Sequence, residues 1–207
     1  IRDSTKAGTL KGAKKVAKQT TLMKLANSND SQNNVRAYQL AQTNRGSVYY
    51  KVVTFDGHYR GWIYGGKNTT SFAGGLYDYT TFDNQFLSTL TSAQQNATYK
   101  IANPGTANDG KTVTYKQPAW TQYKVGRAIT DSTPYANSQF KIDQVGTRTR
   151  EKDQWVHIVD TTNASSPANG WILFSGLTST TTTPTNQVAD NAIRINLIDP
   201  SNSNNIV

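Results

Sequence analysis

The sequence predicts an all-β fold arranged as two tandem small barrels, on three observations. Helical periodicity is scarce, confined to Thr20 through Ala26 and too short for more than a turn or two. Elsewhere short runs of Val, Ile, Tyr, Phe and Thr alternate with Gly, Asn, Asp and Pro, the punctuation of strands and tight turns. The chain also repeats itself. Aligning Tyr49-Tyr50-Lys51-Val52 with Trp155-Val156-His157-Ile158 lays Gly61-Trp62-Ile63 over Gly170-Trp171-Ile172, and the loop of the second copy is three residues longer. Arg45 then falls near Arg150, with one residue inserted. Such self-similarity predicts two homologous modules, 8–76 and 97–178, each of small-barrel size.

The first module opens on "KGAKKVAK", residues 11–18, which gathers Lys11, Lys14, Lys15 and Lys18. Four lysines in eight residues suit a phosphate footprint, and equally a solvated edge strand protected from edge-to-edge pairing. The centre of the module is "YYKVVTFDGHYRGWIYGGK", residues 49–67, a hairpin with Asp56-Gly57 at its tip. A two-residue turn there places Phe55 opposite His58, Val53 opposite Arg60, Lys51 opposite Trp62 and Tyr49 opposite Tyr64, on one side of the ribbon. Val48, Tyr50, Val52, Thr54, Tyr59, Gly61 and Ile63 fall on the other side, which is mostly apolar and uncharged, and so is the core candidate.

The first side therefore displays Lys51, His58 and Arg60 among Tyr49, Trp62 and Tyr64, with Lys67 just beyond. Aromatic planes stack on the C–H faces of sugar rings while Arg, Lys and Tyr hydroxyls take the polar rim. In the repeat the corresponding display residues are Trp155, His157 and Trp171, with Arg148 and Arg150 preceding them. The aromatic pair persists there while the cations thin out. Trp62 and Trp171 admit either role, packing device or ligand platform.

Between the modules, residues 77–96 lack clear periodicity and read as a connector or an irregular segment packed on both modules. "TYKIANPGTANDGKTVTYK", 98–116, reads as a further hairpin turning at Pro104, Gly105, Asp109 and Gly110. In the loop "TTNASSPANG", Ser165 and Ser166 are candidate acceptors of O-linked glycans. Residues 179–207 begin a Thr/Pro-rich spacer, and "NAIRINLI" alternates like one strand of a following, truncated domain. The opening at Ile1, with neither Met nor an apolar leader, reads as a piece of a longer chain.

The net charge of +9 is unevenly spread. Residues 1–67 hold twelve Lys or Arg against three acids, a net +9, whereas 68–207 hold ten of each. A one-sign field over a small module attracts polyanions: nucleic acid, anionic lipid or a phosphate-rich glycopolymer. With no cysteine, disulfides, Cys-bound zinc and a thiol nucleophile are excluded. No apolar run reaches the length of a membrane span. A single glutamate, Glu151, scattered aspartates and isolated His58 and His157 offer neither a carboxylate pair nor metal-ligand spacing, so no enzyme, cofactor or metal is expected. A basic β-barrel for single-stranded nucleic acid stays open on charge alone, as does a face for subunit contacts.

Three segments carry a resemblance: "GTLKGAKKVAKQTTLMKLANS", "RAYQLAQTNRGSVYYKVVTFDGHYRGWIYGGKNTTSFAGGL" and "WTQYK" with "FKIDQVGTRTRE". They are similar to the N-terminal region of lactobacillar surface-layer proteins of the brevis and buchneri type, over residues 8–178. The resemblance implies a secreted, non-enzymatic wall protein with SH3-like modules. It implies that the basic repeats hold wall teichoic acid or polysaccharide and that a C-terminal region contacts other subunits of the lattice. "RGSVYY" with "RGWIYGGK", and "TRTRE", Trp155 and "GWI", are the positions onto which it transfers. The loop of the second copy departs from the first and has no assigned role.

Overall fold

In the computed structural model, residues 17–180, 198–199 and 202–206 are described. Lys11, Lys14 and Lys15 of the Lys-rich opening, and most of the Thr-rich spacer with its following strand, lie outside them, while Lys18 is described and exposed. The chain forms two antiparallel β modules of SH3-like type.

The first module begins with helix α1 (Gln19–Ala26), one residue longer than its periodic stretch. Only its Leu25 is buried, so little apolar burial holds the helix down and its ends have to be met by other groups. Three strands follow: β1 (Val35–Gln42), β2 (Val48–Thr54) and β3 (Arg60–Gly66), in that spatial order. The β2–β3 register is the expected one, with Tyr49 opposite Tyr64, Lys51 opposite Trp62 and Val53 opposite Arg60. Its turn is made by Gly57 N–H donating to the Thr54 carbonyl, with Gly57 at φ 78°, a conformation that glycine adopts without steric cost. Most of the expected core side is buried: Val48, Tyr50, Val52 and Ile63 pack with Leu76, backed by Val35, Ala37 and Phe72, and Thr54 is buried too, while Tyr59 and Gly61 are partly exposed. Val53 departs from the expectation, because it lies on the display side yet is sealed at 1% exposure.

The second module has a six-stranded sheet. Its path is β8 (Gly170–Leu173), β7 (Gln154–Asp160), β6 (Phe140–Arg148), β5 (Tyr99–Ile101), β9 (Leu177–Ser179), and β4 (Phe82–Gln85) pairs with β6 off that path. Helix α2 (Ser92–Asn96) is closed by a capping box between Thr91 and Gln94. The stretch 77–96 thus contributes a strand and a helix to the second sheet. Residues 98–116 are not a hairpin. Ile101 pairs with Leu177, while Tyr115 bridges Arg127 and Trp171, so the turn residues Pro104 to Gly110 open a long excursion instead. Phe140, Val145, Trp155, Val156, Ile158 and Ile172 are all but fully buried, and each such side chain contributes roughly 1.5–3 kcal/mol. Near the end of the chain, β10 (Ile198–Asp199) pairs with β11 (Asn202–Ile206).

The repeat is a repeat of register. Tyr50 faces Ile63, Lys51 faces Trp62 and Val52 faces Gly61; Val156 faces Ile172, His157 faces Trp171 and Ile158 faces Gly170. Even the irregularity recurs, between Ala37 and Gln39 in β1 and between Ile142 and Gln144 in β6. Tyr38 and Asp143, the residues within those bulges, are therefore equivalent.

The modules are clasped at the β6–β7 turn. The Arg150 guanidinium donates to Asn34 Oδ1 at 2.7 Å, to the Leu25 carbonyl at 3.1 Å and to the Ser28 carbonyl. A cation there meets the negative end of α1 and satisfies carbonyls that the helix leaves open. Beside it, Glu151 accepts from Ser31 N–H and Ser31 Oγ, both at 2.7 Å.

Candidate functional site

The exposed end of the first module's β2–β3 ribbon carries the site. Tyr38 comes from the bulge of β1, Lys51 from β2, and Arg60 and Trp62 from β3. The Lys51 ammonium stands 5.9 Å from the Tyr38 ring centre and 5.9 Å from that of Trp62. The Arg60 guanidinium carbon lies 5.5 Å from the Tyr38 ring, and Arg60 Nη1 donates to the Tyr38 hydroxyl at 3.4 Å. Each such contact contributes about 0.5–1 kcal/mol at an exposed position, enough to order a lysine without quenching its charge. Tyr49 and Tyr64 extend the aromatic surface, edge to face at 5.6 Å.

Among the described residues no carboxylate is paired with this group. The ion pairs there are Arg148–Glu151 and Arg148–Asp153, and His157 Nδ1 stands 2.6 Å from Asp143, all in the second module. Lys51 and Arg60 therefore have no carboxylate partner among the described residues. Arg45, in the β1–β2 turn, and Lys67, just after β3, are exposed near the far end of the same ribbon, where Val48 pairs with Gly66. His58 is exposed at the hairpin tip, edge-on to Tyr59 at 4.5 Å and away from Lys51 and Trp62.

The second module does not repeat this surface, which corrects several expectations. Trp155 and Trp171 are 1% and 4% exposed and cannot stack on a ligand. Trp155 is covered by Tyr115, and its indole N–H donates to Asp153. Trp171 is covered by Phe82 of β4, ring centres 5.1 Å apart, and by the Tyr115 backbone paired to it in both directions. Gly170 permits that approach: a Cβ there would stand 2.7 Å from the Tyr115 carbonyl oxygen. Arg148 is sealed between Asp153, Glu151, the Ala119 carbonyl and the Trp155 ring. Arg150 is consumed by the clasp. His157 is half-buried, its Nδ1 2.6 Å from Asp143. Ser166 is buried with its Oγ accepting from Ala168 N–H, which leaves Ser165 as the exposed serine of that loop.

Equivalent rungs thus carry different chemistry. Where the first module has Tyr38, Lys51 and a half-exposed Trp62, the second has Asp143, His157 and a covered Trp171. Tyr38 was not among the sequence-derived candidates, because its position becomes meaningful once β1 is known to lie beside β2. The alternation within "VRAYQLAQ" is the signal that marks it.

The family model described as GW (Gly-Tryp) dipeptide domain matches residues 5–64 and 91–178, so each match falls on most of one of the two modules above. Comparison with curated proteins and with solved structures gives no match.

Proposed function

Since the chain belongs to the GW (Gly-Tryp) dipeptide domain family, whose members are cell-wall-binding modules, we propose that it attaches a surface protein non-covalently to an anionic wall glycopolymer. The polymer is a teichoic acid or a charged wall polysaccharide, and the first module is the gripping one. The observation that carries this reading is the pair Lys51 and Arg60 held against Tyr38 and Trp62. Cations meet the acidic groups of the polymer, and the rings meet its sugar or polyol backbone. The chain acts by binding, without catalysis: its one glutamate, Glu151, is engaged by Ser31 and Arg148. The likeness to lactobacillar surface-layer proteins extends the proposal, with the tethered protein one subunit of a two-dimensional lattice on the wall.

Sedimentation with purified Gram-positive wall sacculi, before and after extraction of teichoic acid and polysaccharide, tests the reading. Retention falls at least tenfold after extraction, and raising NaCl from 0.05 to 0.5 M weakens it, because exposed charges more than about 10 Å apart are screened at 0.1 M salt. Retention indifferent to extraction, together with self-association in solution, favours subunit contacts instead. Equal retention of a single-stranded oligonucleotide removes the preference for the wall.

A further inference from the structure

The junction between the modules leaves a cleft of about 740 Å³, within the size range of small-ligand pockets. It lies apart from the Tyr38–Lys51–Trp62 group. The first module supplies Arg36 and Phe55, the second supplies Tyr123 and Lys124, and the intervening segment supplies Tyr79, with Arg150 behind it. Phe55 and Tyr123 meet across the junction with ring centres 6.0 Å apart. Arg150 lies 5.4 Å from the centre of the Tyr79 ring, and the Lys124 ammonium 5.5 Å from that of Tyr123. Asp78 is the one acid in the lining, against the exposed Arg36 and Lys124 and the buried Arg150, whose guanidinium the clasp already uses. Asn34, whose Oδ1 serves Arg150, keeps its Nδ2 buried behind the cleft wall with no acceptor among the described residues.

The cleft is built rather than incidental. Its floor is tied to the second module by Thr81 Oγ1 donating to the Thr121 carbonyl at 2.7 Å and Thr149 Oγ1 donating to the Thr80 carbonyl at 2.7 Å. The loop that delivers Tyr123 and Lys124 holds two non-glycine residues in the left-handed region, Trp120 at φ 64° and Lys124 at φ 61°, and is closed by Lys116 N–H on the Gly126 carbonyl. Backbone strain of that kind persists where the surroundings over-determine it.

Flat rings with half-exposed faces, a cationic excess and polar donors match a sugar ring carrying an acidic group; an apolar peptide would strand the cations. We propose that the inter-module cleft is a second saccharide subsite, taking one or two rings of an anionic glycan whose acid is a phosphate or a carboxylate. Its biological source, the wall polymer, rests on the function proposed above. The site exists only while Arg150 keeps the modules docked.

The test is an NMR titration of the intact, isotope-labelled chain with trigalacturonate, with glucose 1-phosphate and with uncharged maltotriose. A charged sugar moves the resonances of Arg36, Phe55, Tyr79, Tyr123 and Lys124 saturably, maltotriose does so at least tenfold more weakly, and the better charged probe identifies the acid. The change Lys124→Asn touches an exposed residue outside the clasp, and Asn tolerates the left-handed backbone. It lowers affinity for that probe tenfold or more while thermal melting stays unchanged. Silence of the cleft towards both charged sugars, or maltotriose binding equally well, overturns the proposal. Walls retained with a silent cleft sink the subsite and leave wall attachment standing; a responsive cleft in a chain that ignores walls does the reverse.

Discussion

Trp62 and Trp171 occupy equivalent rungs, opposite Lys51 and His157, yet the first keeps solvent access and the second is covered. Substitution should therefore split them by phenotype. Trp171→Ala removes a buried ring from beside Phe82 and costs about 3–5 kcal/mol, read as a loss of cooperative thermal unfolding of the second module by circular dichroism. Trp62→Ala leaves the melting temperature within a few degrees and lowers wall retention severalfold; an unchanged retention would contradict the proposed grip. Gly170→Ala is expected to cost more than 1 kcal/mol, because the new Cβ meets the Tyr115 carbonyl oxygen at 2.7 Å, and denaturant midpoints measure it. At this scale the hairpin's two sides were legible from alternation and turn position alone. The cover over Trp155 and Trp171 was not, since it comes from Tyr115 and Phe82, remote in sequence and without a pattern that points to them.

Among elements, the shared bulge and shared rungs show how far the repeat could be read: pairing follows the side-chain period, so aligned strings become aligned ladders. Strand β4 was hidden because "FDNQ" lacks apolar alternation; the open edge of β6 makes it a strand, with Asn84 opposite Gly146. The turn residues Arg45 and Arg150 are another divergence. Arg45 is exposed, whereas Arg150 is buried against the end of α1, and that outcome depends on the neighbouring module, not on the local string. Arg150→Ala should cost about 2–3 kcal/mol, the scale of hydrogen bonds to a charged group, and should unfold the first module before the second. Urea titration followed by tyrosine fluorescence and by far-UV circular dichroism would then give two transitions; coincident curves would argue against the clasp.

Over the whole molecule the cations and the carboxylates are divided. Among the described residues the first module's Lys51 and Arg60 have no carboxylate partner, whereas carboxylates of the second are used internally. Burial alone raises the carboxyl pKa of Asp109, but the Lys111 and Thr112 N–H groups and the Thr112 hydroxyl outweigh it, leaving the group below its ordinary value. Asp160 behaves alike: burial raises it, while Thr162 N–H and hydroxyl, Ser138 and Asn163 lower it further than that. With folded values depressed, their stabilisation is complete above the unfolded carboxylate pKa near ~4 and is lost as pH falls through the folded values. The second module's urea midpoint, followed by tryptophan emission, should therefore hold from pH 7 to 5 and drop by pH 3. The division of charge was visible in the sequence; the docking of the modules was not, because it depends on Arg150 and Glu151 meeting residues more than a hundred positions away. That docking has a mechanical consequence. Tension between the modules is shared by several parallel bonds around Arg150 and Glu151 instead of running along the intervening segment alone, so a cell surface under shear would meet a stiff joint where a bare tether would stretch.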